Sequence, residues 1–397
     1  MEYTRSMEPI GVYVHFPFCL KKCPYCDFVS FARERERIDH KGYADAVIAE
    51  LGRRAGALRG RRLSTVFFGG GTPSLWDAAE LGRVLRAILA ASDAREDDVE
   101  ITAECNPTSL DEDRARALCD QGVNRLSIGV QGLDEERLRF LGRLHDPAGG
   151  LAAVEAAVRA RVPRVSADLI YGVATGGAVQ ETPAEAASEA GRVADTGVTH
   201  VSAYSLTIEP GTLFGELARK GRLPISTDDA VADAFFAVEE ALGARGFAHY
   251  EISNYARPGQ EARHNLGYWR GVDYLGLGCG AYGTVSAADG SAVRTRNLTD
   301  PARYVAAAVE GLPVDAERED LPAETRLRER IMLGLRMADG LDLDAAAADL
   351  ELDPWTEERV RTVAQLSIRE RLVREGSRLR IPPRAWLFTD DTAARLF

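Results

Sequence analysis

No run in the 397 residues approaches the roughly 18 consecutive apolar positions needed to cross a bilayer, so no membrane-spanning helix is expected. The start, MEYTRSMEPIGVYV, lacks a basic region followed by an apolar core and a small-residue cleavage site, and no secretory leader is expected either. A basic surplus is also missing. Lys and Arg number 49 against 61 Asp and Glu, a net charge of -12. A nucleic-acid surface needs the opposite balance to displace counterions, so nucleic acid is not an expected partner. Cysteine is scarce: there are six, of which Cys105, Cys119 and Cys279 are scattered. That is no disulfide framework and points to a reducing compartment, the cytoplasm. What is present is 45% hydrophobic residues over a length beyond the usual single domain, enough for two domains or a barrel with an appendage.

Along the chain, short β-rich runs alternate with segments of helical period: VYVHF at 12, STVFF at 64, VEITAE at 99, RLSIGV at 125, RVSADLIYG at 164 and THVSAYSL at 199. This is the pattern of parallel βα units, six of them between residue 11 and about 215. After the second run, Leu81, Val84, Leu85, Ile88 and Leu89 form one apolar stripe to cover a sheet. Cys119 follows Ala115 and Leu118 on such a face, ahead of Gly122, and reads as core and not as a ligand.

The polar residues that break the pattern fall at strand ends. Gly69 to Thr72 follow the second run, Glu104 ends the third, Gln131 the fourth, and Asp168 lies near the end of the fifth. Singly these would pass for caps or turn residues. In a βα barrel the carboxyl ends share one rim, so together they describe one mouth. The loop after the first strand, GVYVHFPFCLKKCPYCDF, adds Cys19, Cys23 and Cys26 to that mouth. Thiols at CxxxCxxC spacing suit either zinc, with a fourth ligand such as His15, or an iron-sulfur cluster. The loop resembles that of the radical S-adenosylmethionine (SAM) enzymes, whose three thiolates leave one iron of a 4Fe-4S cluster for the amino and carboxylate groups of SAM.

The resemblance extends along most of the chain. YVHFPFC with CPYCDF, FFGGGTPS, ITAECNP, RLSIGVQ, LGRLHD, DLIYG and HYEISNYARPGQEARHNLGYW match, in order, the group containing the oxygen-independent coproporphyrinogen III oxidases and the HemW-type heme chaperones. It implies that Cys19, Cys23 and Cys26 ligate the cluster and that Tyr13, Gly70 and Glu104 contact cluster-bound SAM. Tyr25, Gly71, Thr72, Gln131, Arg143 and Asp168 match contacts to a second SAM in the oxidases, where Arg143 could clamp a carboxylate with its planar fork. The stretch DLIYGVATGGAVQET departs from the Pro-Gly-Gln-Thr turn usual after the fifth strand.

Two features separate the branches. The oxidases carry a further cysteine two positions beyond the last cluster ligand, where this chain has Phe28. HNLGYW matches the chaperones' HNxxYW signature and implies heme contacts from His264, Asn265, Tyr268 and Trp269, with His264 as an axial ligand. At LGCGAYG, Tyr282 and Cys279 stand where relatives usually have His and Pro, so a second heme ligand is not implied. Beyond about 315 a helix set followed by a strand pair resembles a small winged-helix appendage; its Arg residues are mixed with many Asp and Glu, which suits packing or partner binding better than DNA.

The expectation is therefore an α/β protein: a radical-SAM partial (β/α)6 TIM-like barrel over 1–235, a connecting region with the HNxxYW motif over 236–315, and a C-terminal helical winged-helix-like domain over 316–397. The resemblance implies a heme chaperone using a 4Fe-4S cluster, SAM and heme, with heme-accepting proteins as partners and peripheral membrane contact left open. The alternative is a radical-SAM enzyme of the oxidase type acting on a porphyrinogen or another substrate, and whether SAM is cleaved is left open.

Overall fold

The computed structural model describes residues 8–92, 98–175, 180–287 and 291–397. All six β-rich runs are strands: β1 Pro9–Phe16, β2 Arg62–Gly70, β3 Glu100–Cys105, β4 Arg125–Gln131, β5 Arg164–Tyr171 and β6 His200–Ser205. They pair in parallel in chain order. Strand alternation sorts their faces. On β1, Ile10, Val12, Val14 and Phe16 are fully buried in the main hydrophobic core. Tyr13 and His15 point to the other face, where Tyr13 stacks on Phe67 of β2. The covering helices follow the predicted period: in Ala78–Ala90, Leu81, Val84, Leu85 and Ile88 are buried and Leu89 lies at the stripe's edge. Asp77 caps this helix by accepting from the Ala79 and Glu80 N–H groups. Cys119 packs half-buried against the same core.

The stretch expected only to connect does more. It supplies β7 Ala248–Glu251, β8 Asn254–Ala256, β9 Asp273–Leu277, β10 Tyr282–Ser286 and β11 Ala292–Asn297, and β12 Asp315–Leu321 continues the run. The sheet order is β12-β11-β10-β9-β1-β2-β3-β4-β5-β6-β8-β7. One chain segment thus extends both edges of the barrel sheet, and β9 is a seventh parallel strand beside β1. The β9–β10 turn is locked from within: Glu50, with no exposed surface, accepts from Gly278 N–H, Asn297, Tyr304 and Arg54. Tyr43 donates to the His15 carbonyl and accepts from Cys279 N–H. Cys279 is buried core, and Tyr282 lies on the surface under the Arg296 guanidinium.

The C-terminal part has helices Ala323–Gly334 and Glu357–Ile368 and a small sheet of Leu341–Asp342, Arg378–Arg380 and Val373–Glu375. It joins the barrel through backbone bonds, Ile252 N–H to Arg336 O and Ala338 N–H to Tyr250 O. No helix of the described residues is long and apolar enough to cross a membrane.

Candidate functional site

The cysteine loop rises from the carboxyl end of β1, and its base is pinched shut. Phe18–Cys19 pairs with Phe31–Ala32, with Phe31 N–H donating to Pro17 O and Arg33 N–H to Cys19 O, both at 2.8 Å. The second loop packs directly on this base: Gly71 N–H reaches Phe16 O at 2.7 Å and Thr72 N–H reaches Phe18 O at 2.9 Å. A Cβ on Gly71 would lie 2.7 Å from Phe18 O, and one on Gly70 would collide with the His15 ring. Gly70 also has φ of +107°. In the structure these two glycines are required by the chain's own packing.

The three thiols are free and half-buried. Thr72 Oγ1 donates to Cys19 Sγ at 3.4 Å, Arg143 Nη1 lies 3.6 Å from Cys23 Sγ, and Ser30 Oγ sits 4.0 Å from Cys26 Sγ. Burial pushes the Cys19 thiol up to about 11 and raises Cys26 as well, so each is protonated unless a cation draws off the proton. His15, considered above as a zinc ligand, has both ring nitrogens engaged: Nδ1 with Tyr13 OH at 2.9 Å and Nε2 with Val29 O at 2.7 Å. It ties the far side of the cysteine loop to the barrel interior. The sequence held one sign of this, since Tyr13 and His15 are two apart on a strand and share a face.

Around the mouth stand the expected polar groups. Glu104 accepts from Gly70 N–H at 3.0 Å. Burial, then the charge of Asp168, pushes its carboxyl up to about 8. Asp168 is itself raised by burial and accepts from Ser127 at 3.1 Å. Gln131 ends β4 at a register shift with φ of +68°, a conformation rare outside glycine. Arg143 Nη2 donates to Gly129 O at 2.7 Å. Tyr25 belongs to a second hydrophobic cluster, with Leu141, Val173 and Phe214, and Phe214 N–H donates to Pro24 O. Residues 176–179, in the turn that departs from Pro-Gly-Gln-Thr, lie outside the described residues.

The HNxxYW helix, Arg263–Trp269, enters from the amino ends of the strands and sits beneath this mouth, with the His264 ring stacked 6.5 Å from that of Tyr13. His264 is 3% exposed, with Nδ1 2.7 Å from Thr65 Oγ1 and Nε2 2.9 Å from Tyr268 OH. Its ring stacks on Phe67, and its N–H reaches Glu100. Burial pulls the imidazole down to about 3, so it is neutral. It lies 3.4 Å from where a Cβ on Gly11 would sit, five residues or about 16 Å of strand below Phe16. Coordination of heme iron by His264 therefore requires it to give up Thr65 or Tyr268. Asn265 is half-buried on the same helix. Tyr268 lines a cavity of about 300 Å³ with Tyr274, Arg294 and Leu333, and Trp269 faces Arg336 of the C-terminal part. Replacing His264 with Ala should cost about 3 kcal/mol in urea unfolding, since it empties a core site and leaves two buried hydroxyls unpaired. A loss below about 1 kcal/mol would remove His264 from the stability argument.

Comparison with known proteins agrees with this architecture. The radical SAM superfamily model matches residues 13–204, and the HemN C-terminal domain model matches 321–388. The heme chaperone HemW of Escherichia coli is 37% identical over 319 residues, covering 80% of this chain and 82% of that protein. HemW of Mycobacterium tuberculosis is 36% identical over 346 residues, covering 85% and 84%. HemW of Bacillus subtilis is 31% identical over 336 residues, covering 83% and 84%. The solved coproporphyrinogen III oxidase (HemN) from Escherichia coli, a radical SAM enzyme, superposes with a TM-score of 0.81 at 22% identity over 99% of this chain and 91% of that one, which shows a common fold.

The radical SAM match implies a 4Fe-4S cluster and SAM. The residues present fit the cluster. Three free thiols share one loop, and the guanidinium against Cys23 has an enclosed Nε with no partner, a donor suited to an anionic centre. Among the described residues the thiols do not close into a preformed metal-holding group, so what fits is the donor set and its surroundings. With identities of 31–37% over most of its length, and with the barrel and C-terminal part both matched, the chain belongs to the HemW heme chaperone family of the radical SAM superfamily.

Proposed function

We propose that this protein is a heme chaperone that binds heme, a 4Fe-4S cluster and SAM and passes heme to acceptor proteins in the cytoplasm. The observation that carries this reading against the oxidase one is Phe28: it stands where the oxidases have a further cysteine, and it is 57% exposed beside the cluster loop. The free state of all six cysteines is consistent with a reducing compartment.

Cys19, Cys23 and Cys26 would hold the cluster, which when bound offers its fourth iron to the amino and carboxylate groups of SAM. The chain's own residues then have defined tasks. His15 and the Gly71–Phe16 bond hold the loop over the barrel. Tyr13, Gly70 and Glu104 would face the first SAM, while Tyr25, Gly71, Thr72, Gln131, Arg143 and Asp168 line the position of a second. Glu104 and Asp168, both raised by burial, would regain their charge on meeting an ammonium group. Heme would be held beneath the mouth, toward the amino ends of the strands, by His264, Asn265, Tyr268 and Trp269, where the cavity beside Tyr268 gives the Nε2 bond room to open.

The test uses protein with an intact, SAM-binding cluster under strict anaerobiosis. Heme transfer from the loaded protein to an apo-acceptor, with no turnover of coproporphyrinogen III, is the expected result. Multiple-turnover formation of protoporphyrinogen IX would establish the oxidase reading instead.

A further inference from the structure

Resemblance assigns Arg143 to a carboxylate, but the guanidinium is turned toward the cysteine loop. Nη2 is anchored on Gly129 O at 2.7 Å, Nη1 lies 3.6 Å from Cys23 Sγ, and Nε is enclosed with no partner. Two features hold it there. Arg143 N–H closes the preceding helical turn on Leu138 O at 2.9 Å. Gly142, with φ of +72°, lets that turn touch the loop: a Cβ there would sit 2.6 Å from Pro24 Cδ, next to Cys23. Pro24 is gripped from its other side by Phe214 N–H, whose ring packs with Leu141. Any larger residue at 142 would push the loop off the guanidinium.

A buried cation needs an anion, and among the described residues no carboxylate lies within ion-pair distance of Arg143. Two groups able to carry negative charge face it, the Tyr25 phenol, which burial keeps protonated, and Cys23, 3.6 Å away and a thiolate when it ligates iron. Hydrogen bonds to cluster sulfur and nearby charge are among the terms that set a cluster's reduction potential, and a cation favours the more negative, reduced state. We propose that Arg143 is a positioning residue that donates a charged hydrogen bond to the Cys23 thiolate and raises the reduction potential of the cluster. This rests on the 4Fe-4S reading above and adds to it a role separate from SAM contact.

The experiment compares wild type, Arg143→Met and Arg143→Lys, full-length and anaerobically reconstituted, with iron and sulfide measured before potentiometric titration followed by electron paramagnetic resonance. Without SAM present, Arg143→Met should shift the midpoint potential to more negative values at unchanged iron content. Arg143→Lys, which keeps the charge and loses the fork, should shift it less. Equal potentials in wild type and Arg143→Met, at equal iron content, overturn the proposal. Should Arg143→Met fail to hold a cluster, wild type grown with 15N-arginine decides: 15N coupling to the reduced cluster that disappears in Arg143→Lys supports the bond, and no coupling in wild type overturns it. A wild type that takes up no cluster overturns this proposal together with the reading it rests on.

Discussion

Replacing Cys19, Cys23 and Cys26 together by alanine is expected to abolish iron and sulfide uptake on anaerobic reconstitution, and with it SAM binding, while the chain stays folded. The first half follows from the donors: they are the three thiols of one loop, and the scattered Cys105 and Cys279 are buried in the core. The second half follows from what holds the loop. Its base is closed by backbone bonds from Phe31, Arg33, Gly71 and Thr72, and its flank by His15 to Val29 O, none of which uses a sulfur. The thiols are half-buried, so their loss should change the unfolding free energy by no more than about 1 kcal/mol each. Circular dichroism and metal analysis of the same sample check both halves. Retained cluster in the triple variant would move the ligands elsewhere, and stoichiometric zinc in wild type would restore the zinc reading.

Glu104 should make the cofactor-free protein lose stability as pH rises. Its carboxyl titrates normally near 4.5 in the unfolded chain and at about 8 in the fold. Between these values the folded state holds a proton the unfolded state has lost, so unfolding becomes easier as pH climbs from about 4.5 to about 8. The full shift is a matter of several kcal/mol; because the side chain keeps some surface at the open mouth, on the order of 2–3 kcal/mol is expected. Glu104→Gln keeps an acceptor for Gly70 N–H and removes the titration. Its stability should therefore exceed wild type at pH 8, match it only below about pH 4, and show a flatter profile between. Parallel pH profiles for the two proteins in denaturant unfolding would show that Glu104 does not titrate in this window, and would remove the buried-carboxylate account of the mouth.

Much of this was open to reading from local pattern. The six strands lie where the β-rich runs stand because alternation of Val, Ile and Phe with polar residues is imposed within each strand. The strand-end set of Glu104, Gln131, Asp168 and the cysteine loop converges because parallel βα units put every carboxyl end on one rim. Other features were not. HNxxYW carries no local sign that His264 also packs inward, bonded to Thr65, 199 residues earlier. The His15 clamp on Val29, the glycine packing of the second loop and the turn of Arg143 toward Cys23 likewise join segments with no common local signature.

By itself, then, the sequence determined the parallel βα order and the placing of three cysteines in the loop after the first strand, with Phe28 two positions beyond the last, all of which are properties of residue type, spacing and chain order. Only the tertiary structure decided that segment 236–315 extends both edges of the sheet, and that the HNxxYW helix enters from the amino ends of the strands with His264 reaching Thr65 and Tyr13. The physical reason is range. Periodicity and capping act over a few residues, whereas strand-edge pairing and buried hydrogen bonds between distant segments are chosen by which arrangement satisfies every enclosed polar group at once.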